Sequence, residues 1–167
     1  MNGTFPDGFD NKPIVWVSHT DASAYCNFYN KRLPHAWEWQ WFAQGRDERP
    51  WPWGYDDPDD TRVPPFTDGR VMPDPDDVDS HPMGASWAGI EDLVGNIYQW
   101  TDVFTDEHTS RAVLRGSPHW RPTGSHWYQP RSTRPLQEHN TFLLMSDSMD
   151  RTGGIGFRCV ADVEDQP

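Results

Sequence analysis

Between His119 and Arg134 the chain gathers residues that can bind a metal, move a proton or grip an anion. They are His119, Trp120, His126, Trp127, Tyr128, Arg131 and Arg134, with His139 soon after. Imidazole suits iron or copper, so the three histidines are candidate ligands. Their spacing matches no recognised ligand motif, and a surface loop with scattered histidines is the alternative reading. Arg131 and Arg134 could clamp a carboxylate or sulfate in bidentate fashion. They could equally pair with Asp147 and Asp150. The chain has 2 cysteines, Cys26 and Cys159. They either bond to each other or stand as two buried thiols.

These residues need a scaffold, and the composition bounds it. A chain of 167 residues favours one domain. Hydrophobic content is 35%, offset by 10 Trp, 8 Phe and 5 Tyr. Each such ring buries about 150–250 Å², so the tryptophans are expected mainly in the core, with a carbohydrate or cation platform as the second reading. The net charge of −12 argues against nucleic acid as a partner. No apolar run of membrane-spanning length occurs, so no membrane partner is expected. The start of the chain lacks the pattern of a signal peptide, which favours the cytoplasm.

Regular helix is expected only in the first quarter. Pro13 to Val17 reads as a short strand or extended lead-in. Ser18 or Thr20 can cap a helix from Asp21 to about Lys31, where Ala22, Tyr25, Cys26 and Tyr29 share one face. A second helix spans Ala36 to Gln44, closed by Gly45. From Arg46 to Gly89 there is no convincing periodicity, and Asp56 to Asp79 reads as a solvated acidic loop. A loop that long needs an anchor, such as bound ions or packed Trp rings. Short strands are expected at Asn96 to Val103, Ala112 to Arg115 and Ile155 to Ala161, the last entered through Gly153-Gly154. The reading is α+β.

Several spaced motifs together resemble the formylglycine-generating enzyme (sulfatase-modifying factor) family. They are Lys31-Arg32-Leu33-Pro34, Trp51-Pro52-Trp53-Gly54, Gly95-Asn96-Ile97-Tyr98-Gln99-Trp100, Leu114-Arg115-Gly116 and Gly156-Phe157-Arg158-Cys159. They run in family order over residues 13–162, leaving 1–12 as a lead-in or shortened start and 163–167 as a tail. The resemblance implies a C-type-lectin-like, loop-rich α+β fold with two early helices and short antiparallel strands. It also implies a structural disulfide between Cys26 and Cys159.

The same resemblance implies a calcium site formed by the Asp92 side chain, the carbonyls of Gly95 and Ile97, and Gln99. Calcium prefers charged oxygens, and Gln99 stands where the family has Glu, which weakens such a site. A tight turn held by its own hydrogen bonds is the other reading. Family oxidases hold copper between two cysteines whose positions fall near Arg121 and His126 here. Without those cysteines, formylglycine generation by the usual chemistry is not expected. A second branch of the family, as in ergothioneine biosynthesis, carries non-haem iron on a separate helical domain.

The expected function is therefore the substrate-facing part of a non-haem iron or related oxidative enzyme. His119, His126, Tyr128, Arg131 and Arg134 are the candidate catalytic residues. The substrate would be a small molecule or peptide, and a missing N-terminal domain or partner chain would supply the metal. The alternative is a non-catalytic lectin-like module that binds a ligand or protein. Arg158 is expected in a structural ion pair.

Overall fold

A computed structural model describes residues 5–106, 108–123 and 133–163. The first helix, α1, spans His19–Phe28. Ser18 caps it: its hydroxyl accepts from the Asp21 N–H at 3.1 Å, while the Asp21 carboxylate accepts from the Ser18 N–H at 2.9 Å. Two backbone donors at the helix start are thereby satisfied, and the helix starts two residues earlier than expected. It also stops earlier, because the N–H groups of Asn30 and Lys31 fold back onto the carbonyls of Asn27 and Cys26. The second helix, α2, spans Ala36–Gln44 as expected and ends at Gly45 with φ 71°.

Six strands follow: β1 (Thr67–Gly69), β2 (Tyr98–Phe104), β3 (Arg111–Gly116), β4 (Trp120–Pro122), β5 (Asn140–Leu143) and β6 (Ile155–Gly156). One sheet has the order β5-β3-β2-β6, and β1 pairs with β4 separately. The β2–β3 and β3–β5 ladders are antiparallel, as expected. The β2–β6 and β1–β4 ladders are parallel and stand beside these antiparallel ones. Strand β6 is also shorter than expected. Past Gly156 the chain leaves β2, and Val160 bridges instead to Arg32 with bonds of 2.8 and 2.9 Å.

The core has two parts. Between α1 and the sheet lie Ala22, Cys26, Tyr98, Trp100, Leu114 and Ile155. Around α2 lie Trp39, Ala43, Val63, Leu93, Val94 and Leu136. Trp39 and Trp100 are almost fully enclosed. Each contributes on the order of 4–6 kcal/mol of hydrophobic stabilisation. The tryptophans divide: Trp51 is also buried, whereas Trp16, Trp37, Trp41 and Trp87 are exposed.

The acidic segment is anchored by hydrogen bonds, one of them from a Trp ring: the Trp53 indole N–H donates to the Asp56 carbonyl at 2.9 Å. The side chain of Asn96 accepts from the Asp76 N–H at 3.0 Å and donates to the Asp76 carbonyl at 3.1 Å. Val63 packs against Gly95, whose φ is 93°; a Cβ there would fall 2.6 Å from the Val63 Cβ. Both the backbone angle and the space require glycine.

Candidate functional site

Strand alternation places Tyr98 and Gln99 on opposite faces of β2. Tyr98 faces a pocket of about 360 Å³, also lined by Met72, Leu114, Trp120, Asn140 and Phe142. Pockets of this size hold small ligands. The Asn140 amide donates to the Tyr98 hydroxyl at 3.3 Å. The Trp120 Nε1–H is buried and has no acceptor among the described residues. The Tyr98 N–H donates to the Gly154 carbonyl at 2.8 Å, which fixes the strand behind the pocket. The pocket is mainly apolar; its polar residues are Tyr98, Asn140, Thr141 and Thr152. Asn140 and Trp120 lie on strands that carried no periodic signal, so sequence reasoning missed the pocket.

Of the candidates between 119 and 134, His119 and Arg134 can be placed. His126, Tyr128 and Arg131 lie outside the described residues, as does Trp127. His119 directly precedes β4 and is buried. Its Nδ1 is 2.7 Å from the Asn96 carbonyl and its Nε2 is 3.3 Å from the Pro73 carbonyl. Both ring nitrogens thus face acceptors, whereas a metal ligand must present a lone pair. In this geometry His119 braces the acidic segment against the 95–97 loop. Arg134 lies 3.6 Å from Glu138. It does not pair with Asp147 or Asp150: Asp147 accepts from the Thr20 hydroxyl and Asp150 from the Met145 N–H. His139 is exposed. Among the described residues no group of three His, Cys, Asp or Glu side chains could hold a metal.

On the other face of β2, Gln99 is buried and fully engaged. Its Oε1 accepts from Trp39 Nε1 at 2.9 Å and from Arg158 Nε at 2.6 Å. Its Nε2 donates to the Asp92 carbonyl at 2.8 Å. Arg158 Nη2 donates to the carbonyls of Glu91 and Asp92 at 3.1 and 3.3 Å. The expected Arg158 ion pair is therefore corrected: its contacts are an amide and two carbonyls. Burial lowers its pKa to about 10, against the pull of Asp92 and Asp79. Burial also raises the Asp92 pKa, and the Asp79 carboxylate adds to the rise. These groups border an open cleft of about 660 Å³ whose wall includes Ile14, Tyr25 and Phe157.

The geometry tests the implied calcium site. An amide oxygen has two lone pairs, and those of Gln99 Oε1 are taken by two N–H donors. Asp92 accepts from the Asp79 N–H at 2.9 Å. Gly116, with φ 79°, lies so close to the Ile97 carbonyl that a Cβ there would be 3.1 Å from it. The donor set does not fit a dication while Gln99 is neutral and its oxygen is engaged by Trp39 and Arg158. Thiolate-bound copper does not fit either. Cys26 and Cys159 form a disulfide with a Cα–Cα distance of 5.5 Å, as the resemblance implied, and no free cysteine remains.

Two helices against a short curled sheet, with the pocket at the sheet's face, define an α+β, C-type-lectin-like domain. A solved structure of Treponema denticola variable protein 1 shares this fold with a TM-score of 0.66 at 16% identity, covering 95% of this chain and 75% of that one. The family described as the sulfatase-modifying factor enzyme 1-like domain matches residues 3–163, and the chain belongs to it. The formylglycine-generating enzyme of Mycobacterium tuberculosis is 28% identical over 181 residues, covering 90% of this chain and 57% of the relative. The hercynine oxygenase of the same organism is 33% identical over 95 residues, covering 54% of this chain and 22% of the relative. The chain thus spans about half or less of the length of these curated relatives. Among the described residues no helix is long and apolar enough to cross a membrane.

Proposed function

We propose that this domain is the substrate-facing part of an oxidative enzyme, and that the pocket around Tyr98 receives the substrate. The observation that carries this reading is the pocket itself. It is mainly apolar, it holds a phenol and a carboxamide in contact, and Trp120 and Pro122 of β4, within the 119–134 stretch, line it. Tyr98 and Asn140 would orient a polar group of the substrate, while Met72, Leu114 and Phe142 exclude water from its apolar part. The metal chemistry, iron in the favoured form, would be supplied by a partner chain or another domain. The described residues offer no ligand cluster for it.

Calorimetric titration with hercynine and with a cysteine-containing peptide tests this. One of the two is expected to bind, and Tyr98→Phe with Asn140→Ala should weaken it about tenfold or more, the loss of roughly two hydrogen bonds. Equal affinity of wild type and the double variant would remove the pocket from the proposal.

The second reading is a non-catalytic binding module. It is favoured by the exposed edge-to-face pair of Trp41 and Trp87, centroids 5.1 Å apart, beside Arg46 and Asp47. A glycan array distinguishes the two: hits lost on Trp41→Ala and Trp87→Ala, with no ligand at Tyr98, would favour the module.

A further inference from the structure

Three oxygens converge on the guanidinium of Arg158: Gln99 Oε1, and the carbonyls of Glu91 and Asp92 in the loop from Gly89 to Ile97. Gln99 completes the arrangement by donating to the Asp92 carbonyl. The set is closed from the far side by Trp39, whose indole N–H takes the remaining lone pair of Gln99.

A calcium ion sharing Gln99 Oε1 would sit about 2.4 Å from that oxygen. The Arg158 Nε is 2.6 Å from the same oxygen. The two cations would then be at most about 5 Å apart, in a partly buried place where like charges repel strongly. A carboxylate at position 99 could offset them, and a neutral amide cannot.

We propose that Arg158 and Gln99 replace calcium in this domain, so that a protein-borne cation holds the 89–97 loop. Gln99 is adjacent to Tyr98 on β2, and the replacement also sets the backbone from which Tyr98 reaches its pocket. Arg158 and Gln99 are positioning residues here. The proposal concerns the loop and stands whether or not the pocket binds an oxidisable substrate.

Thermal unfolding in millimolar CaCl2 and in EDTA tests it. The wild-type melting temperature is expected to move by less than about 1 °C. A site occupied at a hundredfold excess over its dissociation constant would instead raise it by roughly 5–10 °C. A wild-type rise of that size that Asp92→Asn abolishes would overturn the proposal. A rise that survives Asp92→Asn places the ion elsewhere on the acidic surface and agrees with it. Converting the pair should create what the wild type lacks: Gln99→Glu with Arg158→Met should melt several degrees higher with calcium than with EDTA. A folded double variant blind to calcium would also overturn the proposal. Should that variant fail to fold, the wild-type comparison decides by itself.

Discussion

Glu38, in the first turn of α2, accepts three hydrogen bonds from two partners. Its carboxylate accepts from Arg32 at 2.7 Å on each oxygen and from the His35 N–H at 2.8 Å. The Arg32 hydrogen bonds bring its pKa from 4.5 down to about 2. A carboxyl depressed on folding stabilises the native state above its unfolded pKa and loses that contribution as pH falls through the folded one. The window here runs from pH 4.5 to about 2. The loss should be on the order of 1–2 kcal/mol after solvent screening. Acid titration of stability should therefore be flatter in that window for Glu38→Gln than for wild type. His119 gives a second residue-scale expectation. Its ring is buried and faces two carbonyls. His119→Ala should cost about 2–4 kcal/mol, through the cavity left by the buried ring and the loss of its hydrogen bonding. Urea unfolding measures it, and a cost below about 0.5 kcal/mol would contradict the bracing role.

Among the elements, the disulfide joins α1 to the segment after β6 across a separation of 133 residues. Closing so long a loop in the unfolded chain stabilises the fold by about 3–5 kcal/mol. The urea midpoint should fall accordingly when a reductant is added. Disulfides are rare in the reducing cytosol, so the same bond bears on the expectation of a cytoplasmic protein. Thiol alkylation in freshly lysed cells should leave Cys26 and Cys159 unlabelled if the protein matures in an oxidising compartment. The loop before β2 makes its own demand. Gly95→Ala meets both a positive φ and Val63. It should lose about 2 kcal/mol or more, whereas an alanine at a compatible glycine would gain a few tenths.

Across the whole molecule, β2 is the hub. It pairs with β3 on one side and β6 on the other, while Gln99 reaches Trp39 on α2. Amides of β2 and β3 should exchange slowest, at the limit set by global unfolding. Those of the 56–61 stretch should exchange faster, because it is mostly exposed and side-chain pairs such as Arg62 with Asp56 hold it. Protection in reverse order would show that the sheet is not the stable unit.

The two helices were legible because helical periodicity and caps are local: Ser18 with Asp21, and Gly45 after Gln44, are written within a few residues. The sequence motifs likewise carried the family and the disulfide pairing. Strands β1, β4 and β5 were not legible, because three or four residues hold too little pattern and their partners lie far away in sequence. The pocket depends on those strands, so Trp120 and Asn140 beside Tyr98 emerged only from the fold. Arg158 shows the same division. Its motif marked the scaffold, but its partners stand 59 to 67 residues away. Composition and local spacing determined which helices form and which family the chain joins. Long-range packing decided that Gln99 answers to a guanidinium, because only the folded chain brings those two side chains within hydrogen-bonding distance.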